Sequence, residues 1–109
     1  MARAEIVAGI CGFKTVVEAH MQDGRCVLAI DSDCEAIQRL AVELTEVKPL
    51  QEIGFKRGEG PSVFAVASEH CRHAACPVPV GIIKAIEVAA DLALPADVVI
   101  RLSKSEPKD

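Results

Sequence analysis

Five cysteines are the residues of this sequence best suited to chemistry: Cys11, Cys26, Cys34, Cys71 and Cys76. A deprotonated thiol is a nucleophile in disulfide exchange and also a ligand for soft metal ions. The odd number excludes a framework in which every cysteine is bridged within the chain. We therefore expect reduced thiols that serve as ligands or redox groups.

The surroundings of these thiols are predicted to be the reducing cytoplasm. Residues 1–11 contain too few consecutive apolar residues for the hydrophobic region of a secretion signal. The most apolar stretch, 79–93, is interrupted by Lys84, Glu87 and Asp91. It is also shorter than the roughly 20 residues that a membrane span needs, so no membrane association is expected.

Composition excludes a nucleic-acid partner. The net charge is −4, no cluster of Lys and Arg is present, and the only aromatic residues are Phe13, Phe55 and Phe64. Binding to phosphates requires a cluster of positive charge, and stacking on bases requires exposed aromatic side chains. With 50% hydrophobic and 26% charged residues, the 109 residues are predicted to form one domain, with 103–109 as a disordered tail. A protein partner remains possible.

Alternating polar and apolar residues predict three strands, at 4–10, 15–21 and 26–31. Gly12 supplies a tight turn after the first strand. Asp23-Gly24 is the strongest short hairpin signal between the second and third. The three strands should form an antiparallel meander, and a fourth strand is predicted near the C-terminus at 97–102.

Helical spacing of apolar residues predicts three helices, at 34–46, 63–70 and 79–93. The third has Pro79 at its first position and is apolar around most of its circumference, so it should be buried. The order of elements predicts an α+β fold, in which a three-stranded antiparallel meander plus a C-terminal fourth strand carries about three helices packed on one face.

This topology brings four of the cysteines to one edge of the sheet. The first turn of a meander and the end of its third strand share an edge, which places Cys11 beside the segment that leads to Cys34. The first helix then runs down and the second runs back up, because strands and helices of these lengths both span roughly 20 Å. Cys71 and Cys76 should therefore arrive at the same edge, with Cys26 at the opposite one.

Four thiols in a reducing compartment predict a metal site, with Cys11, Cys34, Cys71 and Cys76 holding zinc or an iron-sulfur cluster. Cys34 and Cys76 lie at or just before helix starts, where exposed amides favour an anionic sulfur. No Cys-x-x-Cys motif is present, and His70 or His73 is a possible substitute ligand. The predicted function of such a site is electron transfer or metal handling.

Two other functions remain open from the residues alone. The chain would be a thiol-disulfide oxidoreductase if Cys71 and Cys76 exchange with a disulfide. It would be a protein interaction module if its thiols are incidental, since free cysteine often behaves as a small buried hydrophobe. No residue is identified as catalytic.

Three features together resemble a small family of uncharacterised prokaryotic proteins known as a domain of unknown function. They are CGF after the first strand, a cysteine at the head of the following helix, and the segment HCRHAACPVPVGIIKAIEVAADLALPADV. The resemblance covers nearly the whole chain. It implies a compact α+β protein with recurring cysteines and no established activity.

Overall fold

The computed structural model describes residues 1–55 and 60–105 and contains one antiparallel sheet with helices against it. The strands are β1 (Ala2–Val7), β2 (Lys14–Gln22), β3 (Arg25–Ser32) and β4 (Glu46–Val47). The helices are α1 (Glu35–Glu43), α2 (Pro49–Glu52), α3 (Ser62–His70) and α4 (Val78–Ala89). The strands lie in the order β1-β2-β3-β4, so the predicted α+β class and the meander are confirmed.

The β2–β3 hairpin turns at Asp23-Gly24, as the sequence predicts. Both residues have positive φ, 53° and 79°, which is the backbone of a tight hairpin turn. The turn sets the register of the pair, in which Gln22 lies opposite Arg25 and Ala19 lies opposite Leu28. This register places Val17, Ala19 and Leu28 on one buried face, against which the helices pack.

The fourth strand of the sheet is Glu46–Val47 and not the predicted segment 97–102. After α1 the chain returns beside β3, where Leu28 N donates a hydrogen bond to Thr45 O at 2.8 Å. Val47 lies opposite Cys26 and is buried. Residues 97–102 are all exposed and have no strand partner in the described structure. Their alternating pattern alone does not form a strand, because a strand also needs a neighbour.

The ends of the helices also differ from the prediction. α1 ends at Glu43 and α4 at Ala89, whereas helices to 46 and 93 were expected. Residues 103–105 of the predicted tail are exposed without regular structure, and residues 106–109 lie outside the described residues. Within the described ranges, the helices are too short or too polar for any of them to cross a bilayer.

α4 provides the centre of the core and is buried as predicted. Five of its residues are buried: Val78, Pro79, Ile82, Ala85 and Ile86. The helix rests on β1 at Gly81, where a Cβ atom would lie 2.5 Å from Ile6 Cγ1 and 2.6 Å from its Cδ1. The missing side chain is therefore what lets α4 approach the strand.

Gly81→Ala is expected to destabilise the protein, although alanine is the better helix former by about 1 kcal/mol. The added methyl group must displace Ile6, and overpacking of this kind costs roughly 1–3 kcal/mol. Urea denaturation measures the loss in Gly81→Ala. The same measurement is made on the double variants Gly81→Ala/Ile6→Val and Gly81→Ala/Ile6→Ala, and on the single variants Ile6→Val and Ile6→Ala. If Gly81→Ala destabilises the protein as much when residue 6 is Val or Ala as when it is Ile, the contact with Ile6 is not the cause.

A buried carboxylate caps α3 from a different helix. Glu52, at the end of α2, is 1% exposed. Its Oε2 accepts a hydrogen bond from Ser62 N at 3.1 Å, and its Oε1 accepts one from Val63 N at 2.9 Å. Ser62 Oγ also donates to Oε1 at 2.5 Å. A negative group at the first amides of a helix satisfies unpaired donors and opposes the positive end of the dipole.

Glu52→Ala should therefore lower the free energy of unfolding by about 2 kcal/mol, since the buried Val63 amide and the part-buried Ser62 amide lose their acceptor. Chemical denaturation measures the loss. Gln51→Ala is the matched control, because Gln51 is exposed on the same short helix and should change little. Equal stabilities of the two variants would show that the cap contributes nothing.

Candidate functional site

Hydrogen bonds between β2 and the end of β3 stabilise the edge of the sheet where β1 ends, β2 begins and β3 ends. Thr15 lies opposite Ser32, and their hydroxyl oxygens are 2.7 Å apart in a buried hydrogen bond. Asp33 N donates to Lys14 O at 3.2 Å. The segment that leaves β3 is thereby fixed against the start of β2, as the predicted meander requires.

Cys34 follows directly and is the N-cap residue of α1. Its backbone amide donates to Ser32 Oγ at 3.1 Å, and its carbonyl accepts from Gln38 N at 2.9 Å. Gln38 Nε2 also donates to Ser32 O at 2.9 Å. These contacts fix the backbone on both sides of the half-buried thiol.

Cys71 and Cys76 flank the connection between α3 and α4. Cys71 ends α3, where its amide donates to Ala67 O at 2.7 Å, and Cys76 N donates to His73 O at 3.3 Å. Both side chains are half-buried and pack against the core, as does Cys34. Residues 72–75 between them are exposed.

Cys34 and Cys76 both lie near enough to Cys71 to affect its thiol. Burial raises the pKa of Cys71, and negative charge on Cys76 and on Cys34 raises it further. The nearby Arg39 guanidinium acts in the opposite direction. Two of the cysteines predicted to converge with Cys71 therefore act on its thiol.

Cys11 lies in the connection between β1 and β2, at the same edge of the sheet. Gly9 and Gly12 have φ of 86° and 72°, and Gly12 N donates to Gly9 O at 2.9 Å, which closes a tight turn around it. The Cys11 side chain is exposed and is not among the groups that act on Cys71. Its role as a ligand, like that of the other three, stays a prediction.

Cys26 lies at the other edge, as predicted. It pairs with Met21 and Val47 across the sheet and is fully buried. Burial raises the pKa of its thiol above the ordinary value of 9.0. Cys26 therefore behaves as a core residue that holds its proton at neutral pH.

A second group of possible ligands joins α1 to α3 and was not predicted from the sequence. His70 Nε2 lies 3.1 Å from Glu43 Oε1, but the pair lacks hydrogen-bond geometry, which leaves this buried nitrogen without a hydrogen-bond partner. With Glu69, their ligand atoms all lie within 4.8 Å of one another. His70, proposed as a substitute ligand for the thiols, therefore faces carboxylates. The adjacent Glu69-His70 pair is the only sequence signal for this group.

The same contact explains why the thiols are spread more widely than predicted. His70, the last residue of α3, touches Glu43, which lies at the opposite end of α1 from Cys34. A helix of nine residues is about 13 Å long, so the end of α3 is displaced from Cys34. Within 1–55 and 60–105, no three thiols have sulfur atoms that all lie within 4.8 Å of one another.

Comparison with known proteins gives one match. No curated protein and no solved structure is significantly similar to the chain. A family model described as "Family of unknown function (DUF6951)" matches residues 2–102, a range that holds every helix and strand described above and all five cysteines. The resemblance to a domain of unknown function is thereby confirmed, and the chain belongs to this family of unknown function.

Proposed function

We propose that Cys34, Cys71 and Cys76 bind an iron-sulfur cluster or a zinc ion, with Cys11 as the fourth ligand. The observation that carries the proposal is the placement of three half-buried thiols against the core where α1 begins, α3 ends and α4 is about to begin, with Cys34 and Cys76 both near enough to act on Cys71. Mutual repulsion of their thiolates disfavours the metal-free deprotonated state, and a bound cation reverses that repulsion.

The spacing of the sulfurs favours a cluster over a single ion. Two thiolates on one tetrahedral zinc, each bonded at about 2.3 Å, are about 3.8 Å apart. The three thiols do not meet even a 4.8 Å limit. An iron-sulfur cluster accepts wider spacing because its cysteines bond to different irons, which are bridged by sulfide.

The surface around Cys11 fits electron transfer or metal handling with a protein partner. Ile10 is completely exposed and Phe13 is 42% exposed. An apolar rim beside a shallow metal centre lets a partner protein approach the metal closely and exclude water. The exposed residues 72–75 leave the other side of the centre open.

Anaerobic purification of the full chain tests the proposal. We expect a brown protein with iron and acid-labile sulfide in equal amounts, or a colourless protein with one zinc per chain. Titration of accessible thiols before and after removal of the metal should show newly reactive cysteines. A metal-free protein that stays metal-free after anaerobic reconstitution would exclude both forms.

Disulfide exchange by Cys71 and Cys76 is the second candidate. Among the charges that act on Cys71, Cys76 has the largest effect. Burial disfavours the Cys71 thiolate, so the first attack is assigned to Cys76. Its thiolate would attack a substrate disulfide and release one substrate thiolate. Cys71 would lose its proton and displace the second, leaving a Cys71–Cys76 disulfide and a reduced substrate, and a dithiol would reduce the enzyme again.

Mass spectrometry separates this candidate from the metal site. Metal-free protein treated with oxidised glutathione should lose two hydrogen atoms and show a peptide with Cys71 bridged to Cys76. The variant Cys34→Ser should still form this bridge, because Cys34 has no part in the exchange. Failure of the bridge to form in the unmodified chain would exclude the exchange reaction.

A further inference from the structure

The segment after α4 carries more exposed apolar surface than a solvated connection requires. Every residue from 91 to 105 is exposed. The large apolar residues of this stretch are Leu92, Leu94, Val98, Val99, Ile100 and Leu102, the last of which is 91% exposed. The family match runs to residue 102, so it includes this apolar stretch. Exposed apolar patches in a soluble protein commonly mark contact surfaces.

The elongated shape of the molecule fits a segment that leads away from its own sheet. The described structure extends 60 Å along its longest axis and only 30 and 28 Å along the others. Fifteen extended residues at ~3.3 Å per residue are long enough to account for the difference. Asp91, at a φ of 59°, turns the chain out of α4 at the point where the segment begins.

The sheet has a long unpaired edge that a strand could complete. Among residues 1–55 and 60–105, β1 is an outer strand of the sheet and is paired only with β2, over all six residues from Ala2 to Val7. The other outer strand, β4, has two residues. The backbone donors and acceptors on the open side of β1 make it the natural place for an added strand.

The side chains of the two stretches match when they are paired. In β1, Ala2, Ala4 and Ile6 face the helices, while Arg3 and Glu5 are exposed on the other face. The C-terminal stretch repeats this alternation in part, with three apolar residues on one face and, on the other, two charged residues that flank Val99. The first set is Val98, Ile100 and Leu102, and the second is Asp97 and Arg101.

We propose that residues 97–102 of one molecule pair with β1 of a second copy, and that the exchange is reciprocal. With the three apolar residues on the helix side, they extend the core beside α4. Arg101 and Asp97 then fall on the face that holds Glu5 and Arg3. Because Asp97 and Arg101 are four residues apart and Arg3 and Glu5 only two, one opposite-charge pair can lie directly across the strands and the other diagonally. A two-fold dimer of this kind gives each sheet a fifth strand and leaves neither segment exposed.

Sedimentation and hydrogen exchange of the full chain test the proposal. We expect a particle of twice the 11.6 kDa chain mass, with slow amide exchange in both 2–7 and 98–102. Ile100→Lys should give a folded monomer in which both stretches exchange quickly. Leu94→Lys is the matched control, because Leu94 is similarly exposed but precedes the pairing stretch, and it should remain a dimer.

Three results would overturn the proposal. One is a full chain that is monomeric at high concentration. The second is a dimer that Ile100→Lys leaves intact, which would place the contact on another surface. The third is protection of 98–102 that persists when the protein is diluted to a monomer, since the segment would then pair with β1 of its own chain.

Discussion

Replacing Cys71 and Cys76 together by serine is expected to remove bound metal and to leave a folded protein. Both thiols are half-buried at the margin of the core, whose buried members come from all four strands and from α1, α3 and α4. Ligation by cysteine can supply ~10–16 kcal/mol, as much as the whole stability of a small domain. This chain, however, already buries a continuous apolar core. Metal analysis and circular dichroism measure the two effects separately.

Cys26→Ser is the control for this pair, because Cys26 lies at the opposite edge of the sheet and is fully buried. It should keep its metal and lose only local stability, since a hydroxyl replaces an apolar group in the core. An unfolded Cys71/Cys76 double variant would instead make the metal part of the fold. Retained metal in the double variant would place the site elsewhere.

Ile86→Asp should unfold the protein or lower its stability by roughly 4 kcal/mol or more. Ile86 is completely buried in α4, so the substitution places a carboxylate in an apolar core without a partner. Total stabilities of about 5–15 kcal/mol leave little after such a loss. Ile83 on the same helix is only half-buried and should tolerate aspartate better.

The matched control for Ile86→Asp is Val80→Asp, which makes the same charge change on the same helix. Val80 is 46% exposed in the first turn of α4, where a negative charge favours the helix dipole. Thermal unfolding followed by circular dichroism should therefore show a large loss for the first variant and little change for the second. Similar midpoints for the two variants would mean that α4 is not buried as described.

Local patterns were enough to predict most of the sheet and the central helix. Asp23-Gly24 fixes the hairpin by its backbone preference, and the alternation in the flanking strands fixes which face is buried. β4 was not predicted because a strand of two residues is too short to show an alternation of polar and apolar side chains. Its pairing depends on where α1 ends, which is a tertiary property. The segment 97–102 has the period but no partner within the described chain.

The candidate site was predictable only to the level of its topology. Counting directions placed Cys11, Cys34 and the α3–α4 connection together and Cys26 apart. The distances depend on how α3 crosses α1, and that crossing follows from side-chain packing between the helices. The contact between His70 and Glu43 results from this crossing, and the spacing of residues in the sequence does not predict the crossing.

Because Glu52 caps α3, the position of that helix does not depend on the length of the peptide that connects it to α2. Glu52 and Ser62 are ten positions apart in the sequence, yet their direct contact fixes where the helix starts. Doubling the length of a loop adds only about 0.6 kcal/mol to the entropic cost of closing it. A reporter peptide inserted after Gly54, which is exposed, should therefore leave α3 and the thiols beyond it in place, so this position can carry a label.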